Sequence, residues 1–338
     1  MASDTERSSL GMVRGLGMLG GGLAAVVGAV GFAAHRRGGL IRETHRPDLD
    51  DLLDVPTDVL PGTLARPDGA VIRYVDTSPG SALPVAVLLH GITARWQMWA
   101  AVMRLLQPTH RVIAWDMRGF GESTAGSNVD TVAAAGDDLA ALLNELDLRD
   151  AVVVGHSMGG MELARFAVDH RDVLANRIAG LVFLSTSARS LDGSIRNGGL
   201  VRLSKTTARL ARTGVTSAYG WSDTNLSLAL LRSGFGDLAT AAMVEELRRC
   251  QASASEKSLI DGSQSIAQHD VLDRLAGVRT PVIAMVGTRD RLTPPLHARA
   301  IAAVMPCARL VELEGIGHQS LQEDPFSVAE AVRSLTLV

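Results

Sequence analysis

Hydrophobic and polar positions alternate with two different periods along this chain, and the switches between them lay out its elements. Ala70–Asp76 alternates apolar and polar residues after the turn Pro67-Asp-Gly69, the pattern of a half-exposed strand. Pro84–His90, Arg111–Asp116, Ala151–Val154, Arg177–Ser185 and Thr280–Asp290 each contain a continuous apolar run. Runs of that length, rich in β-branched residues, predict strands buried on both faces of a parallel sheet. Arg309–Leu313 predicts the last strand. Helical spacing falls between them. Leu139, Leu142, Leu143 and Leu146 share one face of a helix that Asn128 or Asp130 is placed to cap. Met161–Val168 opens a second, Leu296–Met305 forms a third, and Asp324-Pro325 starts the last. Strands alternating with helices predict an α/β domain with a mostly parallel, doubly wound sheet.

One interval breaks the alternation. From about residue 190 to 270 helical stretches such as Leu200–Ala211 and Leu238–Arg249 follow one another, with no strand between them. The pattern predicts a helical cap inserted between two strands, over the strand ends where ligands bind in such sheets. At the other end of the chain, Gly15–Ala34 runs for 20 positions without a charge, long enough to cross a bilayer as a helix. Seven of those positions are glycine, which weakens both helix formation and partition into lipid. A retained membrane anchor is the leading reading of residues 1–40. A cleaved signal ending near Gly31-Phe32-Ala33 and a soluble tail are the alternatives. Arg36, Arg37, Arg42 and Arg46 follow the span, so the positive-inside rule puts the folded domain on the cytoplasmic face. A cleaved signal would put it in the envelope or outside the cell. Residues 41–60 read as a linker, and the acidic run Asp48–Asp54 as a solvated face. The main domain is expected over 61–338.

Composition narrows the classes. The net charge of −3 argues against a nucleic-acid surface, and 46% hydrophobic residues supply a large core. Cys250 and Cys307 have neither metal-ligand spacing nor the number of a disulfide framework, and read as buried free thiols, with a single bridge between them as the alternative. No G-x-G-x-x-G follows a strand, so no dinucleotide site is expected, and no metal or organic cofactor is expected either.

The candidate chemistry sits at strand ends. Gly155-His156-Ser157-Met158-Gly159 is a G-x-S-x-G turn between the Ala151–Val154 strand and a helix, the setting of a nucleophile elbow. A serine hydroxyl is a weak nucleophile at neutral pH. It needs a base within hydrogen-bond reach, and the base needs an orienting carboxylate. His318 and Asp290 each follow a predicted strand, in the chain order Ser…Asp…His. Asp116 is the rival acid, but its Asp116-Met-Arg-Gly-Phe-Gly-Glu-Ser123 surroundings read better as a turn brace, with Arg118 pairing nearby carboxylates. Glu122 reads as a solvated loop residue, His90 as structural, and His156 as bonded locally. Trp96 and Trp99 read as pocket lining or core.

With these motifs in place the chain resembles the α/β-hydrolase fold serine hydrolases over about residues 60–338, nearest in pattern to the bacterial esterase, lipase and haloperoxidase-like branch. His90-Gly91, Asp116–Ser123, Gly155–Gly159, Gly287–Asp290 and Gly317-His318 carry the resemblance. It implies that the backbone N–H groups of Ile92 and Met158 form an oxyanion hole. It also implies a small-molecule substrate, a lipid-like or otherwise apolar carboxylic ester. Acyl transfer and cofactor-free perhydrolysis are alternatives at the same site, as is a scaffold that only binds a small ligand. Epoxide hydrolases and haloalkane dehalogenases need an aspartate nucleophile, and position 157 is serine.

Overall fold

The computed structural model describes residues 36–128, 131–191 and 224–336. Eight strands form one sheet in the order β1-β2-β4-β3-β5-β6-β7-β8. They are β1 Leu60–Ala65, β2 Val71–Asp76, β3 Val85–Leu89, β4 Arg111–Trp115, β5 Ala151–His156, β6 Ile178–Leu184, β7 Val282–Gly287 and β8 Ala308–Leu313. The strands from β4 to β8 in that order run parallel, while β1 and β2 add an antiparallel edge.

Period-2 geometry sends alternate residues of each central strand to opposite faces, so both faces must be covered. Ala86, Leu88, Val152, Val154, Val182 and Leu184 join one core with Trp99, Met103 and Val332. Val87, Leu89, Val153, Leu181 and Phe183 join the other with Leu139, Leu163, Phe166 and Ile301. The helices that supply the covering are α1 Pro47–Asp50, α2 Ala100–Leu106, α3 Thr131–Glu145, α4 Met158–Asp169, α5 Arg171–Arg177, α6 Asn225–Leu231, α7 Ala241–Ser253, α8 Glu256–Gln268, α9 Pro295–Val304, α10 Ser320–Glu323 and α11 Pro325–Thr336.

The described part of the insertion between β6 and β7 carries the helices α6 to α8 and no strand. Thr224, Thr240 and Ser255 cap these helices by accepting the N–H groups of Ser227, Met243 and Ser258. The predicted helix Leu200–Ala211 lies outside the described residues, as do Asp130 and the apolar segment Gly15–Ala34. Among the described residues no helix is long and apolar enough to cross a membrane.

Two expectations are corrected. Residues 41–60 are more than a connector. Ile41 and Leu49 are buried in the same core cluster as Leu228, Leu231 and Met243 of the insertion. Ala241 N donates to Thr44 O at 2.8 Å, and Thr240 Oγ1 donates to Asp50 Oδ1 at 2.5 Å. The acidic run is therefore partly engaged rather than only solvated. Residues 60–65, which straddle the predicted domain start, form an edge strand that the sequence pattern hides. Pro61 is tolerated because an edge strand has one unpaired side, and Gly62 leaves room for the Tyr74 ring, which a Cβ there would meet at 2.1 Å.

Candidate active site

The order of strands reverses at β3 and β5: β4 lies on one side of β3, and β5 on the other. In such a sheet the crevice beyond the carboxyl ends at the reversal is open to a ligand. The turn after β3 carries Gly91 and Ile92, and the turn after β5 carries Ser157. They meet there, since a Cβ on Gly91 would stand 2.9 Å from Ser157 Cβ.

Ser157 adopts φ 54° and ψ −120°, a strained conformation for a residue with a side chain. Strain of this kind costs roughly 1–3 kcal/mol and persists only where the surroundings impose it. Here Ser157 N donates to Leu184 O at 3.0 Å, while Thr186 Oγ1 and the N–H of Gly160 donate to Ser157 O at 2.6 and 3.0 Å. Two glycines permit the turn. A Cβ on Gly155 would stand 2.5 Å from Gly159 O, and one on Gly159 2.4 Å from Leu89 O. α4 begins at Met158, so the Met158 N–H is one of the first-turn donors that a helix leaves unpaired.

His318 Nε2 lies 3.0 Å from Ser157 Oγ, and His318 Nδ1 lies 2.9 Å from Asp290 Oδ2. The carboxylate accepts, so Nδ1 carries the proton and Nε2 is left to accept from the serine hydroxyl. Asp290 is buried, and burial alone disfavours its charge. His318 beside it, with hydrogen bonds from His318 and Thr293, outweighs burial and holds the carboxyl below the usual range. Leu292 N and Thr293 N donate to Oδ1 at 2.8 and 2.9 Å, and Thr293 Oγ1 donates to Oδ2 at 2.9 Å.

The rival carboxylate does something else. Asp116 accepts the N–H groups of Trp96 at 2.8 Å and Glu122 at 2.9 Å, bracing the loops after β3 and β4 against each other. Arg118 pairs with Asp138 and Asp68, each at 2.7 Å, as expected of it. Glu122 is exposed. His90 is structural: its Nδ1–H donates to Gly91 O at 2.7 Å and its Nε2 accepts from Met117 N at 2.9 Å. Trp99 is fully buried and packs edge-on to His156 at 6.4 Å, while Trp96 is partly buried.

Two readings of single residues change. His156 was expected to bond locally, yet its Nε2–H donates to the backbone O of His318 at 2.8 Å. Burial, followed by the nearby His318, drives the His156 ring down to about 3, so it stays neutral and serves as a fixed donor. Cys250 is buried as expected, and burial pushes its thiol up to about 12, but Cys307 is exposed in the turn leading to β8.

The insertion reaches the site. Gly262 of α8 faces the residues flanking the elbow, and a Cβ there would stand 3.2 Å from Ile92 Cδ1 and 3.5 Å from Met158 Sδ. Glu323 escaped sequence reasoning altogether. It is 1% exposed, and its carboxylate accepts from Gly236 N and Gly317 N. A glutamate five positions after His318 was the available signal, but nothing local distinguishes it from a helix-capping acid. Among the described residues no group of His, Cys, Asp and Glu is arranged to hold a metal ion.

The comparisons agree with this architecture. Residues 84–325 match the sequence model of the α/β hydrolase fold family. The chain is 30% identical over 270 residues to the non-heme chloroperoxidase CPO-A1 of Kitasatospora aureofaciens, covering 74% of this chain and 90% of that protein. It is 29% identical over 269 residues to a non-heme chloroperoxidase of Streptomyces lividans, covering 78% and 95%. A solved thermophilic esterase from Thermogutta terrifontis superposes with a TM-score of 0.65 at 28% identity, covering 82% of this chain and 97% of that one. The chain therefore belongs to the α/β hydrolase fold family and is a hydrolase of that superfamily.

Proposed function

We propose that the protein is a serine esterase that cleaves an apolar carboxylic ester through an acyl-enzyme. The observation that carries this reading is the continuous hydrogen-bonded chain from Ser157 Oγ to His318 Nε2 at 3.0 Å and from His318 Nδ1 to Asp290 at 2.9 Å. Ser157 Oγ attacks the ester carbonyl while His318 takes its proton. Asp290 holds the imidazole in the tautomer that accepts at Nε2 and stabilises the imidazolium. The tetrahedral oxyanion is received by the N–H groups of Ile92 and Met158, and each such donor is worth about 3 kcal/mol. His318 then protonates the departing alkoxide. Water attacks the acyl-serine in the second half, with His318 as base and then acid. As written, the reaction uses no metal or organic cofactor.

The relatives named non-heme chloroperoxidases favour a second reaction of the same acyl-enzyme. Hydrogen peroxide in place of water would release a peracid and restore the serine. The apolar surroundings of the elbow support an apolar acyl group: Ile92, Phe120, Met158 and Met161 pack in one cluster. Turnover of p-nitrophenyl esters from short to long acyl chains, with and without peroxide, tests substrate and acceptor together, with Ser157→Ala as control. An inactive wild type across the series would overturn the esterase reading.

The same reading assigns Gly15–Ala34 as a membrane tether, on the strength of its 20 uncharged positions followed by Arg36 and Arg37. Full-length chain that pellets with membranes and resists carbonate, beside a soluble and active chain starting at Leu40, is the expected result. Soluble full-length protein, or a form cut near Ala34, would remove the tether.

A further inference from the structure

The loop that presents His318 is built against the arm of chain that leaves α6 for α7. His318 N donates to Gly234 O at 2.8 Å, and Asp237 N donates to Gly315 O at 2.7 Å. The approach is so close that a Cβ on Gly317 would stand 2.3 Å from Gly236 N, and one on Gly236 2.0 Å from Gly315 O. Glu323, on α10, closes the gap behind this contact. Both its oxygens accept from Gly236 N, at 3.0 and 2.8 Å, and Oε1 also accepts from Gly317 N at 2.9 Å. One carboxylate thus holds a residue of the cap's arm and the residue preceding His318.

We propose that Glu323 is a positioning residue that couples the cap's arm to the triad histidine, by bridging the Gly236 and Gly317 N–H groups so that His318 is held in line with Ser157 only while the arm is seated. This rests on the reading of His318 as the base. From the other side His156 fixes the His318 carbonyl, so the ring is held at both ends of its own backbone.

The bridge depends on protonation. Burial raises the Glu323 carboxyl to about 7, opposed by the N–H groups of Gly317 and Gly236 and by Arg232. Asp237 of the same arm is engaged with Arg289 at 3.5 Å, and Asp324 is engaged with Ser327 at 2.6 Å. On α2, which packs on α10, Arg104 donates to the Asp54 carbonyl. A carboxylate offers acceptors on both oxygens. Once protonated, one oxygen carries a hydrogen that opposes an N–H, and the bridge weakens. Falling pH therefore loosens the histidine loop, in addition to the one-proton loss of activity that any general base shows on its own.

The test is the pH profile of kcat/KM on a soluble p-nitrophenyl ester between pH 5 and 9. Wild type, Glu323→Gln and Glu323→Asp are compared, with Ser157→Ala as control and folding checked by circular dichroism and Tm. The wild-type acid limb is expected to be steeper than a one-proton limb. Glu323→Gln should show a one-proton limb, with kcat at the plateau at least about tenfold lower and KM little changed, because a small misplacement of the base is costly. Glu323→Asp should retain the steeper limb. A one-proton limb in the wild type, or an unchanged limb and plateau in Glu323→Gln, would overturn the proposal. If Glu323→Gln does not fold, the wild-type slope and Glu323→Asp still decide. Activity retained by Ser157→Ala would instead overturn the serine reading, which separates the two failures.

Discussion

Glu162 sits on α4, one turn past the elbow, with no exposed surface and with no hydrogen-bond partner for either carboxyl oxygen among the described residues. Burial chiefly, and the neighbouring Asp138 next, push its carboxyl well above the usual glutamate range, with Arg118 opposing. Glu162→Gln keeps the shape and removes the titration. In the unfolded chain the carboxyl ionises near 4.5. Each pH unit by which the fold raises the carboxyl forfeits about 1.36 kcal/mol of stability once the pH lies above the folded value. The sign follows from proton counts. Above pH 4.5 the unfolded chain binds fewer protons at this site than the folded one, so the site's contribution is full below 4.5 and declines as pH rises toward the folded pKa. Glu162→Gln lacks this decline. Relative to wild type it should gain stability as pH rises above 4.5. At an unfolding entropy of ~2.1 cal/mol/K per residue, each 1 kcal/mol gained raises Tm by about 1.4 °C. Thermal melts of both proteins from pH 5 to 7.5 read it directly, since all other titrating groups cancel in the difference. Tm curves that stay parallel across this range would refute the reasoning.

Three further outcomes follow from the same geometry. Asp290→Asn should lower kcat by orders of magnitude with little change in Tm, whereas Asp116→Asn should act mainly on stability through the Trp96 and Glu122 N–H groups; paired kinetics and melts check this, and the reverse ranking would reassign the acid. Gly159→Ala should fail to fold or lose several kcal/mol, because its Cβ would stand 2.4 Å from Leu89 O and 2.6 Å from His90 O; chemical denaturation measures the loss. Iodoacetamide should modify Cys307 in the native protein and spare Cys250 until it unfolds, as peptide mapping would show.

Much of the site was legible because its chemistry follows strands with strong patterns. The β5 run, the small residues around Ser157 and the strand ends before Asp290 and His318 are local features, and the fold brings them together as the chain order implies. What escaped the sequence is non-local. Leu60–Ala65 contains Pro and Gly, which argue against a strand until the edge position and the Tyr74 ring explain them. The burial of Ile41 and Leu49 depends on the insertion that covers them, and polar neighbours mask it in a linear reading. His156 finds its partner 162 positions away, and Glu323 bridges residues 87 and 6 positions away. Residue type alone points Cys307 to the interior, while the edge position of β8 leaves it exposed.

Covalent capture of the nucleophile tests the central claim most directly. The protein would be treated with a fluorophosphonate, and the adduct located by peptide mass mapping, in wild type and in Ser157→Ala. The account predicts one stoichiometric adduct on Ser157 with parallel loss of ester turnover, and neither labelling nor turnover in folded Ser157→Ala. An adduct on another residue, or labelling and turnover that survive the substitution, would contradict it.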